Sequence, residues 1–300
     1  MKQQNKKYKL KGHETFCIRE GWLSKGMKAV SEDTKVFNRM YGADALGVGS
    51  NMAKAIRYWL KACGLTLDTP GKGVRLSEFG KIVLQYDPYF EENFTLWCVH
   101  MNLVQNKEKA TTWYLFFRKY HIEEFTREEL EYFLIEQLCK YAGTKEFSER
   151  SLKDDCSVLL QMYSREKIPG NDPEDKKICP LSKLGILRKN GEFYKRSAPD
   201  YNCISSEVLF YLMQSRKEEK AVGMEELYSG ELGVQSVLGL GVSAYQEYLD
   251  ELAKKGYLDI NRTAGLDMIY KLKQLSKEEI VLNFYRALKH ERGTDKNARF

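Results

Sequence analysis

The segment that most narrows the possible folds runs from Leu46 to Tyr86. Leu46-Gly47-Val48-Gly49 sets two glycines one residue apart, and glycine adopts backbone angles that side chains resist, so a tight turn is expected there. Ser50 suits a helix N-cap. From Asn51 to Cys63 the residues Met52, Ile56, Trp59, Leu60 and Cys63 recur at helical spacing, while Ser50, Asn51, Lys54, Arg57 and Lys61 take the other face. Gly64 ends this helix. Leu65-Thr66-Leu67 then alternates as a strand does, Asp68 to Gly73 is dense in turn residues, and Val74-Arg75-Leu76 returns as a second strand. Ser77 caps a further helix from Glu78 to Tyr86. Upstream, Arg19 to Val30 places Trp22, Leu23, Met27 and Val30 inward, and a second helix is expected from about Thr34 to Ala45. Helix, helix, glycine turn, amphipathic helix, hairpin, helix is the order of a winged helix, a helix-turn-helix variant. The order carries this inference; no single element would.

The remaining chain reads as helical. Asp87-Pro88 breaks the pattern, and aromatic-rich helices are expected over Phe94–Val104 and Ala110–Tyr120, with Trp97, Trp113 and Tyr114. Thr126-Arg127-Glu128-Glu129 is a capping box opening a helix to about Lys140, and Ser151–Tyr163 is another. Ser164 to Lys177, with Pro169, Gly170, Asn171, Asp172 and Pro173, reads as an exposed loop and the best domain boundary. A small irregular unit over Leu181–Tyr194 and a helix over Ser205–Gln214 follow. Leu238-Gly239-Leu240-Gly241 through Gly256-Tyr257 aligns without gaps on Leu46-Gly47-Val48-Gly49 through Gly64-Leu65. A second winged helix is therefore expected over about 221–275, with Asn261-Arg262 as a short wing and Ala264–Leu272 as its closing helix. The expected fold is mainly α with small β-hairpin wings, two winged helix-turn-helix modules flanking a helical middle. Its units are 1–86, 87–163, the loop 164–177, and 178–300.

Charge is unevenly placed. Residues 1 to 30 hold Lys2, Lys6, Lys7, Lys9, Lys11, Arg19, Lys25 and Lys28 against Glu14 and Glu20, an excess of +6 that equals the net charge of the whole chain. A basic arm leading into a folded domain is a common footprint for nucleic acid. Arg19 and Lys25 suit phosphate contacts, and Lys72 and Arg75 on the first wing extend the reach toward a backbone. No run approaches the roughly 20 apolar residues of a membrane span, and Met1 to Leu10 has no apolar core of a secretory signal, so a cytoplasmic location is expected. Seven cysteines, never spaced as Cys-x-x-Cys, read as reduced thiols; Cys156, Cys179 and Cys203 match no common zinc pattern. The four histidines show no ligand spacing, and Gly47-Val48-Gly49 and Gly239-Leu240-Gly241 lack the third glycine, the strand and the downstream carboxylate of a dinucleotide site. No metal, cofactor or catalysis is expected. Beside the arm, His13 and Glu14 are read as bracing the first helix and Trp22 as core, since buried polar groups usually serve local hydrogen bonding.

Several motifs carry a resemblance. Gly12-His13-Glu14-Thr15-Phe16 with Gly21-Trp22-Leu23, Leu46 to Met52 with Ile56-Arg57-Tyr58-Trp59, and Asp87-Pro88-Tyr89-Phe90-Glu91 with Thr95-Leu96-Trp97 resemble the bacterial family called domain of unknown function 4007. Cys179-Pro180-Leu181 with Leu184-Gly185, and Thr263-Ala264-Gly265-Leu266-Asp267, resemble its later motifs. Cys98-Val99-His100-Met101 departs from the leucine- and tryptophan-rich run of that family and looks like a packing change. The family has no established activity. Its members tend to be encoded beside phosphoadenosine-phosphosulfate-reductase-like proteins in DNA phosphorothioation and phage-defence neighbourhoods. The resemblance therefore implies a DNA-recognition or adaptor role with such a protein as partner.

The leading expectation is an accessory protein that contacts double-stranded DNA through Ser50, Asn51, Lys54, Arg57 and Lys61 of the first winged helix. The equivalent second helix carries Glu247, Asp250 and Glu251, which phosphates repel. The alternatives are a protein scaffold without DNA affinity, and a ligand-sensing regulator with a pocket among Trp97, Trp113 and Tyr114. A continuous positive patch joining the arm to the helix at Asn51 would favour DNA.

Overall fold

The computed structural model describes residues 6–164, 178–200, 203–215, 220–263 and 266–297. It is mainly helical with small antiparallel sheets. Helix α1 (Trp22–Glu32) buries Trp22, Leu23, Met27 and Val30. The helix expected over Thr34–Ala45 does not form. That segment runs irregularly into a 3-10 turn at Met40–Gly42 and a four-residue helix, α2 (Ala43–Leu46). Its backbone groups are committed elsewhere. The Asp33 carboxylate accepts from the Lys35 N–H at 2.8 Å, and the Thr34 carbonyl accepts from the Val74 N–H at 2.8 Å. Met40 and Tyr41 sit at positive φ (42° and 57°), which interrupts any helix.

Helix α3 (Ser50–Ala62) starts one residue earlier than expected, so Ser50 lies inside it and Gly49 is the N-cap, without a side-chain cap. Ile56, Trp59 and Leu60 on its apolar face are fully buried. Strands β1 (Thr66–Thr69) and β2 (Gly73–Leu76) form a hairpin that pairs Leu67 with Arg75. The Ser77 hydroxyl accepts from the Gly80 N–H at 2.9 Å and caps α4 (Glu78–Tyr86).

The middle of the chain packs around α5 (Asn93–Gln105), which buries residues on every side, as a helix at the centre of a domain does. Around it lie α6 (Thr111–Lys119), α7 (Arg127–Ala142) with its capping box, and α8 (Glu149–Ser164). Trp97 and Trp113 are fully buried core rather than pocket walls: the Trp97 indole N–H donates to the Cys203 carbonyl at 3.1 Å, and Trp113 packs edge-on against Trp59. The loop expected at 164–177 lies, from residue 165 on, outside the described residues. A short strand before α7, β3 (Glu124–Thr126), joins β4 (Leu187–Asn190) and β5 (Phe193–Arg196) in a sheet of order β3-β5-β4. Thus the irregular unit expected near Gly191 is a hairpin.

Helix α9 (Ser206–Met213) leads to β6 (Ala221–Gly223), α10 (Met224–Ser229), α11 (Val234–Leu238) and α12 (Val242–Lys254). Ala264–Leu272 is not a closing helix. Its described residues form β8 (Leu266–Lys271), paired with β7 (Leu258–Thr263) through a six-residue register, so Asn261 and Arg262 lie within a strand. The pairing gives the apolar Ile269 a buried position opposite Ile260, which a helix there would forgo. The helix that follows is α13 (Lys277–Asn297), which returns to α4 and α5: Phe284 stacks on Phe94 at 3.9 Å and Tyr285 on Tyr86 at 5.3 Å. The repeated glycine motif repeats in three dimensions. Gly47 and Gly239 both cap a short helix at positive φ (58° and 67°), and Gly49 and Gly241 are both extended N-caps of thirteen-residue helices.

The seven cysteines are free thiols. Burial raises the pKa of Cys63, Cys98, Cys156 and Cys179, so these act as protonated core groups rather than nucleophiles. Among the described residues no helix is long and apolar enough to cross a membrane.

His100 ties three helices together at the centre. It is fully buried, its Nε2–H donating to the Val237 carbonyl (2.9 Å) and its Nδ1 accepting from the Tyr163 hydroxyl (2.8 Å). Burial lowers its pKa to about 4, below the 6.5 of the free side chain. The unfolded chain therefore takes up the proton first as pH falls, so stability held above pH 6.5 is lost between 6.5 and 4. The loss is about 3 kcal/mol from this one group. Denaturant melts at pH 7 and pH 4 are expected to show that excess loss in the native chain relative to His100→Gln; equal losses would show that His100 does not carry it.

Candidate nucleic-acid interface

The interface is built on a buried carboxylate. Asp155 on α8 accepts from the Lys11 backbone N–H (2.8 Å), His13 Nε2 (2.9 Å) and the Thr112 hydroxyl (2.7 Å). The other ring nitrogen of His13 accepts from the Thr15 N–H at 3.1 Å, which places the proton on Nε2 facing Asp155. The ring lies flat against Trp59 of α3, centroids 5.5 Å apart, and the Trp59 indole N–H donates to the Phe16 carbonyl at 2.9 Å. His13 thus braces the arm against α8 and α3 rather than capping or bracing α1. Gly12 is required by close approach: a Cβ there would fall 2.3 Å from the Tyr58 ring. Trp22 is core, as expected.

This anchoring lays the arm across α3. The Lys9 N–H donates to Thr111 Oγ1 at 3.0 Å, and the arm and helix enclose an open cleft of about 720 Å³. Lys6, Lys7, Lys9, Lys54, Arg57, Lys61 and Lys109 line it against Glu14 and Glu108, with Tyr8, Tyr41 and Tyr58 between them. The arm and α3 therefore contribute cations to one cleft. Lys54 reaches Asn51 Oδ1 at 3.3 Å and lies 4.6 Å from the Tyr41 ring centre, a placement that holds the ammonium at the surface without neutralising it.

The expected contact residues divide. Lys54, Arg57 and Lys61 line the cleft, but Arg57 (3.4 Å) and Lys61 also share the carboxylate of Asp68 on β1. Burial raises the Asp68 pKa, yet the hydrogen bonds and charges of Lys61 and Arg57 outweigh it and the net shift is downward. Ser50 and Asn51 are exposed at the start of α3, and Lys72 and Arg75 are exposed on the hairpin; none of the four lines the cleft. Lys25 is committed to the Leu46 carbonyl (2.9 Å), and the Arg19 guanidinium lies against Phe16 and Trp22 (5.5 and 5.1 Å). Lys109 and Tyr41 were not legible as site residues. Lys109 follows α5, and two long-range contacts of this turn bring it to α3: its carbonyl accepts from the Tyr58 hydroxyl (2.8 Å), and the Asn106 amide donates to the Ala62 carbonyl (3.1 Å). On α12, Asp250 is held by Arg262 (2.9 Å) and Glu251 by Lys255 (2.6 Å).

A family model described as protein of unknown function (DUF4007) matches residues 10–285. The chain belongs to the DUF4007 family. No curated protein matches the sequence. Two solved structures share the fold. A magnesium ion-bound SspB has a TM-score of 0.78 at 21% identity, and another SspB structure 0.76 at 20%; each alignment covers 94% of this chain and 87% of the other. Gly12, His13, Tyr58 and Trp59, which hold the cleft's frame, all lie within the matched residues.

Removing the carboxylate orphans three donors at once. Asp155→Ala is expected to cost about 3 kcal/mol or more and Asp155→Asn about 1 kcal/mol, the ordinary costs of unpaired buried donors and of one lost bond. Trypsin should then cut at Lys6–Lys11 faster in Asp155→Ala under native conditions. Unchanged cleavage would mean that Asp155 does not anchor the arm.

Proposed function

We propose that this DUF4007 chain is a DNA-binding accessory protein whose first winged helix, α1 to α4, holds duplex DNA in the cleft between the basic arm and α3. The observation that carries the reading is the cleft itself: seven cationic side chains against two carboxylates, in a concavity that opens beside an amphipathic helix followed by a hairpin. Phosphate backbones are attracted to such a surface without regard to sequence. Because Asp68 neutralises part of the charge of Arg57 and Lys61, the phosphate contacts fall mainly to Lys6, Lys7, Lys9, Lys54 and Lys109. The exposed Ser50 and Asn51 are the α3 residues available to base edges, and Lys72 and Arg75 supply outlying backbone contacts. The paired acidic face of α12 argues against the second module as the DNA reader.

The magnesium in one SspB structure favours a second reading, in which the cleft works with that ion. Magnesium is held through one or two carboxylates, keeps several waters and takes substrate phosphates. Glu14 and Glu108 on the cleft wall are the donors that suit it, although among the described residues no three His, Cys, Asp or Glu side chains converge. When bound, the ion would add positive charge beside a phosphate held by the lysines.

Lys54→Glu with Lys109→Glu is expected to flatten the salt dependence of duplex binding by about two units of slope and to abolish binding near physiological salt. Glu247→Ala with Asp250→Ala should leave it intact. Fluorescence anisotropy with labelled duplex, with circular dichroism as a check on folding, makes the comparison. No binding by the native chain even at low salt refutes the DNA role. Duplex binding that strengthens in millimolar magnesium, and no longer does so in Glu14→Gln with Glu108→Gln, would establish the second reading over a purely accessory role.

A further inference from the structure

A second charged concavity lies where the end of β5 meets the glycine turn before α12. Its volume is about 280 Å³, and Arg196, His121 and the turn residues Gly239, Leu240 and Gly241 are on its wall. Arg196 is the anomaly. Its guanidinium packs over Phe116 at 4.4 Å, Nη2 donates to the Tyr120 carbonyl at 2.7 Å, and Nη1 reaches the Ser236 carbonyl only at 3.5 Å. Nε is closed off from solvent with no hydrogen-bond partner, and no carboxylate of the described residues pairs with the group. A guanidinium removed from water without a counter-ion is costly. Burial lowers the Arg196 pKa to about 10, and burial followed by the charges of Arg196 and Lys119 lowers that of His121. Glu123, exposed at the rim, is the lining carboxylate, and it makes no ion pair with Arg196.

The opposite wall adds to the same field. Helix α12 opens at Gly241 with no side-chain cap, so its leading N–H groups and the positive end of its dipole stand beside the cavity. Gly239 lets the turn lie close to β5: a Cβ there would sit 3.1 Å from the Ser197 carbonyl. The fold thus brings a guanidinium without a counter-ion and an uncapped helix start to one small cavity.

We infer that this cavity is a binding site for a phosphate-type oxyanion, gripped by Arg196 and by the N-terminus of α12. Planar guanidinium donors and convergent backbone N–H groups are the recurring pair in such sites. The cavity has room for a single phosphate group, whether free or carried on a DNA backbone that extends past it. The site is separate from the cleft at α3 and does not depend on DNA binding there.

The test uses the full chain, melted in low-millimolar inorganic phosphate and in chloride of equal ionic strength. Near ten times the dissociation constant, the native chain should melt about 2–4 °C higher in phosphate. Gly241→Asp supplies a carboxylate at the N-cap, where the backbone is already extended and a Cβ meets nothing within 4 Å. It should melt higher without phosphate and respond no further. Lys54→Glu with Lys109→Glu should keep the full response, which separates this site from the cleft. Arg196→Lys, which retains charge but not the planar fork, should weaken the response. Duplex binding separates the two sources: Gly241→Asp lowers it about tenfold if the phosphate belongs to DNA and leaves it unchanged if the anion is free. No response in the native chain, or an equal response in Gly241→Asp, overturns the inference.

Discussion

The carboxylate of Asp155 is the constraint on which the basic cleft depends. It lies on α8, is 1% exposed, and is kept there by three donors from two other parts of the chain. A buried carboxylate without donors is expensive, so the node closes only when Lys11, His13 and Thr112 are all in place. Once it closes, Gly12 lies on Tyr58 and His13 on Trp59, and the lysines before them are held over α3. Without this node the same lysines would be a solvated tail. With it they form one wall of a cleft, and their charge adds to that of α3 instead of dispersing.

What was legible in the sequence is the part set by local rules. The α3 helix, its glycine turn, the β1–β2 hairpin, the Ser77 cap and the Thr126–Glu129 capping box all follow from residues within a few positions of one another. The failures share a cause. Thr34–Ala45 has helical composition, but the Thr34 carbonyl is taken by β2 and the positive φ of Met40 and Tyr41 breaks the run. The segment after Arg262 became a strand because its partners lie on β7 and β6, and β3 formed because β5 reaches it from about seventy residues away. Such pairings leave no periodic trace at one site. The same holds for the interface. Lys54, Arg57 and Lys61 were readable from one helical face, whereas the pairing of two of them with Asp68 and the arrival of Lys109 depend on tertiary contacts.

The two glycine turns show how one backbone geometry can serve two electrostatic settings. The turns cap the same way and lead into helices of the same length. On α3 the exposed face is basic and is extended by the arm. On α12 it is acidic and partly tied to Arg262 and Lys255, and positive charge gathers instead at the helix start, beside Arg196. Shape alone would assign both helices the same role; charge separates them.

The most direct measurement of the central claim is lysine footprinting, in which the chain is acetylated briefly with and without saturating duplex DNA and mapped by mass spectrometry. The account predicts that Lys6, Lys7, Lys9, Lys54 and Lys109 become protected together, while Lys254 and Lys255 at the end of α12 react as before. Protection centred on α12, or none at the arm and α3, would contradict it.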